Sequence, residues 1–373
     1  MKILLLGGGL QGLSCAESLT SVGYSVSSIS KELDIERSSL FEKTYTESLN
    51  ESSLFEILKR EHYDVLIPMG DVAASFLSDI KEKVEQTFPT RCAVPASRLL
   101  SVVLDKKNFM AFCKDNQIPH PKTFPLSSSN LNTASAEIGF LALIKPDYSV
   151  GARGITRVNS YEDLRKWVDP ISQKYGSCTL QEYIDNPDYY YNVMMHRDKY
   201  GNCDNCVVIK ILRMYPIGGG SSSYCVSVKN EELCGICKSV LDKLNWVGMA
   251  DFDVLQRKDT LEYKIIEINP RVPASVRAAF VSGVNFPEII VRKAMGLPVE
   301  SYDYRPGKVL RYMGLDLMWF IKSPDRFKHL SSWLHFFGKD IYYQDILKSD
   351  RSTWSSWFME GLKKMKRKNK RIR

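Results

Sequence analysis

Short apolar runs alternate with polar turns along the first part of the chain. Residues 2–6 form a β run, Gly7 to Gly12 a glycine turn, and 14–22 carry apolar positions at helical spacing. Residues 24–29 read as a second strand and 65–68 as a third, with a helix opening after Gly70 and Asp71. Strands alternating with helices predict a parallel sheet covered on both faces. From Pro95 onward the pattern changes. Residues 97–104 and 106–116 have helical spacing, and 118–121 (Ile-Pro-His-Pro) end the second. Strands are then predicted at 141–145, 155–158, 179–183, 191–196, 206–211, 224–228, 248–255 and 263–269, with helices at 161–168, 231–244 and 286–295. The class is α/β leading into α+β, with no internal repeat.

Residues 301–373 differ in character. They hold four of the six tryptophans, Trp319, Trp333, Trp354 and Trp357, and read as a separate C-terminal extension.

Composition refines this outline. A chain of 373 residues with 44% hydrophobic and 25% charged residues is an ordinary globular one, large enough for two or three units. Nine cysteines are too few for a disulfide scaffold, and no export-like leader follows Lys2, so a reduced, cytoplasmic setting is expected. No apolar window is long enough to span a bilayer. The net charge of +8 is local: eight Lys or Arg fall between Lys363 and Arg373, and setting them aside leaves 43 basic against 43 acidic residues. Nucleic acid is therefore not an expected partner. Residues 354–373, aromatic and then basic, read either as a peripheral anchor on an anionic membrane surface at the inner face of the membrane or as a solvated terminus.

Candidate chemistry sits in a few short motifs. Gly7-Gly8-Gly9-Leu10-Gln11-Gly12 fits G-x-G-x-x-G after a strand. The acid that dinucleotide binding needs about 20 residues on is missing from 25–30, so a tight turn or an anion site is the better reading. Lys106 opens a helix. Lys145 ends a strand before the small-residue loop Ser149-Val150-Gly151-Ala152-Arg153-Gly154, an arrangement that sets an ammonium and several N–H groups against one polyphosphate. No Walker A sequence surrounds Lys145, so the P-loop fold is excluded. Two later strands carry acids on one face: Asp251 and Asp253, then Glu267 with Asn269 and Arg271. Carboxylates in apolar strands are costly unless paired or holding a metal, and both readings stand on the residues alone. Two C-x-x-C pairs, Cys203/Cys206 and Cys234/Cys237, are spaced too widely for a zinc ribbon, one at a hairpin and one on a helix.

The order of these motifs over residues 1–300 resembles the ATP-grasp superfamily of carboxylate–amine ligases, which includes biotin carboxylase and the carbamoyl-phosphate synthase large chain. The resemblance implies a Rossmann-like domain at 1–95 and an ATP-grasp domain at 96–300. The latter would have a lid lobe at about 115–183 and a metal-binding lobe at about 184–300. It implies ATP with Mg²⁺ (or Mn²⁺) as cofactors. Lys106 and Lys145 would be the two ATP lysines, and Ser149, Gly151, Arg153 and Gly154 part of the lid. Gln181, Glu182, Tyr183 and Ile184 would form the adenine-reading linker, with Asn192 standing where a ribose-binding acid is common. Asp251, Glu267 and Asn269 would hold the metal, and Arg271 would stabilise the transferring phosphoryl group. Asp251 stands where Glu is usual, and Val150 and Ala152 where glycines are common. Gly9, Lys210, Arg213, Ser221 and Arg277 are candidates for the acceptor pocket. The activity implied is activation of a small-molecule carboxylate as an acyl phosphate followed by its capture by an amine. The alternatives are another ATP-grasp chemistry, carbamoyl phosphate formation or carboxylation, or a non-catalytic nucleotide-binding scaffold.

Overall fold

The computed structural model describes residues 1–149, 153–300, 302–347 and 349–350. Its first sheet contains β1 (Lys2–Leu6), β2 (Ser25–Ile29), β3 (Lys43–Tyr45), β4 (Val65–Pro68) and β5 (Arg91–Cys92) in the order β3-β2-β1-β4-β5, all parallel. Along β1 the side chains alternate between two cores, Ile3 and Leu5 in one, Leu4 and Leu6 in the other. That alternation is why an uninterrupted apolar run suits a strand covered on both faces. The helix after β1 starts at Gly9, within the glycine turn. Gly7 has φ +115°, and a Cβ there would lie 3.1 Å from the Met69 side chain, so glycine is required at this crossing.

The second sheet comprises β6 (Thr123–Leu126), β7 (Ala142–Pro146), β8 (Thr156–Val158) and β9 (Cys178–Glu182), in the order β6-β9-β7-β8 and antiparallel. Helices Leu131–Ile138 and Tyr161–Tyr175 close a separate small core around Ile144, Leu164, Val168 and Leu180. Gly154 sits so close to Pro146 and Tyr175 that a Cβ would meet them at 2.7 and 2.8 Å.

The third sheet has seven strands in the order β14-β13-β10-β11-β12-β15-β16. They are β10 (Tyr190–Arg197), β11 (Cys206–Tyr215), β12 (Ser221–Val228), β13 (Gly248–Gln256), β14 (Tyr263–Asn269), β15 (Val309–Arg311) and β16 (Ile341–Tyr343). The last two correct the expected separate extension, because part of residues 301–373 completes this sheet. The physical reason is a buried charge cluster. Asp316, on the helix Met313–Lys322, receives Arg213 Nε at 2.7 Å and Nη2 at 2.9 Å, and Arg311 Nε at 2.7 Å. Trp319 and Met318 pack inward on the same helix. Trp319 therefore marks packing against the sheet. Residues 354–373 lie outside the described residues.

The cysteines also differ from expectation. Cys206, at the start of β11, is disulfide-bonded to Cys234 on the helix Glu231–Lys243, while Cys203 and Cys237 are free. Strand pairing and helix packing bring the two C-x-x-C motifs together across 28 residues. Among the described residues no group of three or more His, Cys, Asp or Glu could by itself hold a metal ion, so zinc is not assigned to these pairs.

Candidate functional site

Antiparallel pairing of β13 with β14 sets Asp251 opposite Asn269 and Asp253 opposite Glu267. Side-chain alternation then puts all four on one face. Asn269 Nδ2 donates to Asp251 Oδ2 at 3.3 Å, and Arg271 reaches Asn269 Oδ1 at 3.1 Å and Asp71 Oδ1 at 3.2 Å. Asp71, at the start of the helix Asp71–Thr87, brings the first sheet's domain to this cluster. Asn192 on β10 is hydrogen-bonded to Asp253 rather than left open for a ribose.

The electrostatics are those of crowded acids. Burial pushes the Asp251 carboxyl up to about 7; Arg271 opposes this and Glu267 adds to it. Burial also holds Asp253 well above the carboxylate range, reinforced by Glu267. Glu267 lies below its ordinary value although burial pulls the other way, because Asp253 donates a hydrogen bond to it and Lys106, Lys145 and Arg271 stand near. Asp251 Oδ1 is buried and has no partner among the described residues. An orphaned carboxylate oxygen beside two further acids fits an oxygen-loving divalent cation. Among the described residues the acids alone do not close a cage, and Mg²⁺ ordinarily completes its six oxygens from phosphate and water.

The cations come from the second sheet and from the helix that precedes it in sequence. Lys145 on β7 is buried; burial lowers its pKa to about 8, with Glu267 the principal opposing charge. Lys106 begins the helix Lys106–Asp115, capped by Asp105, and its Nζ donates to the Ser149 carbonyl at 2.9 Å. Lys106 and Lys145 both act on Glu267. Lys106, Lys145, Asp251, Glu267, Asn269 and Arg271 are thus brought together. The Ser149 hydroxyl is buried without a partner among the described residues, Arg153 is exposed, and Gly151 lies outside them. Asp253 and Asp71 joined the cluster unforeseen. Asp253 was visible as the second acid on its strand face, whereas nothing local in the sequence marks Asp71.

Of the linker candidates, Gln181 and Glu182 end β9, an inner strand of the second sheet. Gln181 Nε2 donates to Thr123 Oγ1 at 2.9 Å. Glu182 accepts from Lys122 N–H and from Arg257 Nη2, each at 2.9 Å, so its carboxylate is already occupied. The Arg157 guanidinium lies 4.6 Å from the Tyr183 ring centre, and Ile184 is buried.

The acceptor candidates divide. Ser221 lines a cavity of about 200 Å³ with Leu10 and Gln11, the residues following Gly9, and with Ser222, Ser275 and Gln344. Arg213 and Arg277 do not line it. Arg213 is tied to Asp316, and Arg277 grips both Glu17 oxygens at 2.6 and 2.9 Å and the Tyr343 carbonyl. The Lys210 ammonium lies 3.5 Å from the Tyr189 ring centre. The arginines expected to be open for substrate are thus held by internal carboxylates, because each is buried and a buried cation needs a partner.

A family described as ATP-grasp in the biosynthetic pathway with Ter operon matches residues 199–314. The chain is 23% identical to the N-terminal section of the carbamoyl phosphate synthase large chain of Methanopyrus kandleri, over 70% of this chain and 49% of that protein. It therefore spans about half the length of that relative. It is 24% identical to the formate-dependent phosphoribosylglycinamide formyltransferase of Prochlorococcus marinus, over 80% of this chain and 77% of the relative. Biotin carboxylase from Campylobacter jejuni superposes with a TM-score of 0.70 at 18% identity, covering 83% of this chain and 74% of that one. N5-carboxyaminoimidazole synthetase from Staphylococcus aureus, complexed with ADP, gives 0.68 at 14%, covering 88% and 86%. Residues 199–314 thus match an ATP-grasp family, and the chain shares the fold of these solved structures, with two lysines facing acids on paired strands.

Proposed function

We propose that the protein is an ATP-dependent ligase that converts a substrate carboxylate to an acyl phosphate and joins it to an amine, releasing ADP and phosphate. The observation that carries this reading is the orphaned Asp251 oxygen beside Glu267, within one cluster with Lys106, Lys145 and Arg271. Asp251, Glu267 and Asn269 would hold Mg²⁺, with Asp253 hydrogen-bonded behind Glu267. When bound, the ion supplies charge neutralisation to the phosphates. Lys145 and Lys106 bind phosphate oxygens, and Arg271, anchored by Asp71 and Asn269, carries charge developing on the transferred group. Ser149, Arg153 and Gly154 would help to cover the phosphates and exclude water, which would otherwise hydrolyse the acyl phosphate. Gln181 to Ile184 line the adenine end through their backbone.

We assign residues 1–95 as the Rossmann-like domain, 115–183 as the lid lobe and 184–300 as the metal-binding lobe, the last extended by β15 and β16. The amine enters the cavity beside Gln11, Ser221 and Ser222, whose lining side chains are uncharged. No side-chain nucleophile is required. The test is a panel of carboxylates and amines with hydroxylamine trapping. Hydroxamate formed in the presence of ATP, and lost in Glu267→Gln, supports the reading. ATP binding without ADP release on every pair would refute it.

A further inference from the structure

We propose that the helix–turn–helix at residues 313–337 is a docking surface for an anionic phospholipid bilayer. The helix Met313–Lys322 turns Leu315, Met318 and Trp319 inward toward the sheet and leaves Leu317 and Ile321, one turn apart, on its outer side. The short helix Leu330–Leu334 exposes Leu330 and Leu334 in the same way. Phe327 between them is 68% exposed, and Phe337 just beyond is 87% exposed. Six large apolar side chains are thus presented to solvent within 21 residues of chain. The unit is braced internally: Phe320 stacks on Trp333 at 3.9 Å, and Phe327 meets Phe320 edge-on at 6.5 Å. Its exposed side chains therefore project from a packed base.

Charge selects the occupant. Between Met313 and Asp340 there are four basic residues, Lys322, Arg326, Lys328 and Lys339, and three acids, of which Asp316 is buried against Arg213 and Arg311, Asp325 pairs with Lys328 at 2.6 Å and Asp340 pairs with Lys308. Lysines set among exposed Phe and Leu suit the headgroup zone of an anionic membrane. Cores of protein–protein interfaces are depleted in lysine. In sequence, the same polarity continues through Trp354, Trp357 and Phe358 into the eight basic residues of 363–373. No helix of the described residues is long and apolar enough to cross a membrane, so the surface lies on the bilayer.

The test is co-sedimentation of the full chain with vesicles of phosphatidylcholine containing 30% phosphatidylserine or none, at low and at high salt. The comparison variant is Phe327→Ser/Leu334→Ser/Phe337→Ser, in which residues 351–373 are unchanged. Wild type is expected to pellet with the anionic vesicles only, and less at high salt. The triple variant is expected to partition at least tenfold more weakly while retaining its circular dichroism. Equal pelleting of variant and wild type would overturn the proposal by leaving 351–373 as the sole contact. So would wild type that ignores both vesicles, or a wild-type self-association that the triple variant abolishes. None of these readouts depends on the ligase reaction.

Discussion

Asp253 and Glu267 stand directly opposite each other on β13 and β14, and their carboxyl groups share one hydrogen bond. That contact, with Lys106, Lys145 and Arg271 nearby, holds Glu267 below its ordinary carboxylate range although burial pulls the other way. Asp253→Ala removes the contact. The Mg²⁺ concentration needed for half-maximal ADP release should rise about 10–100-fold, the range for groups that orient a metal ligand. An unchanged Mg²⁺ requirement would reduce Asp253 to a packing residue.

Lys145 occupies a buried site for a single ammonium. Lys145→Met should lower kcat/KM for ATP by roughly 10²–10³, as for loss of one transition-state donor. Lys145→Arg should recover little, because a planar fork does not fit a slot shaped for a point charge. Full activity in the arginine variant would show that the slot is open.

The Arg213–Asp316–Arg311 cluster tests stability without touching the reaction. Asp316→Ala strands two buried guanidinium groups and should cost about 3–5 kcal/mol in denaturant unfolding. A loss below about 1 kcal/mol would mean that water reaches the arginines.

His196 provides a pH test. Burial lowers its pKa from 6.5 to about 4, assisted by Lys293 and opposed by Asp198. The folded imidazole stays neutral where the unfolded one binds a proton, so stability from this group is present above about 6.5 and lost as pH falls toward 4. His196→Gln should flatten that part of the stability–pH curve, by a few kcal/mol at most. Parallel curves for the two proteins would disprove the shift.

Filling the cavity separates its two neighbours. Ser222→Leu should raise the KM for the amine at least tenfold and leave the KM for ATP unchanged. Equal effects on both would place the amine elsewhere.

Much of this architecture was legible because it is local. The apolar run 2–6, the acid-bearing faces of 248–256 and 263–269 and the lysine at the end of β7 each follow from periodicity within a few residues. What escaped depends on distant partners. Arg213 meets Asp316 across 103 residues and Arg277 meets Glu17 across 260, so their cationic side chains looked available for substrate until the fold supplied the acids. Residues 341–343 are too short a run to announce a strand and become one by pairing with β15. The disulfide arose the same way, between thiols that sequence spacing grouped differently.

The side chain of Gln344 bridges Ser14 Oγ at 3.0 Å and the Ala274 carbonyl at 2.8 Å, just beyond β16. Three stretches of polypeptide remote in sequence therefore share one latch at the chamber beside Gln11 and Ser221. A chain interrupted before position 341 would lose that latch along with the last strand, and the chamber would stand open on that side even if every phosphate-facing residue remained in place.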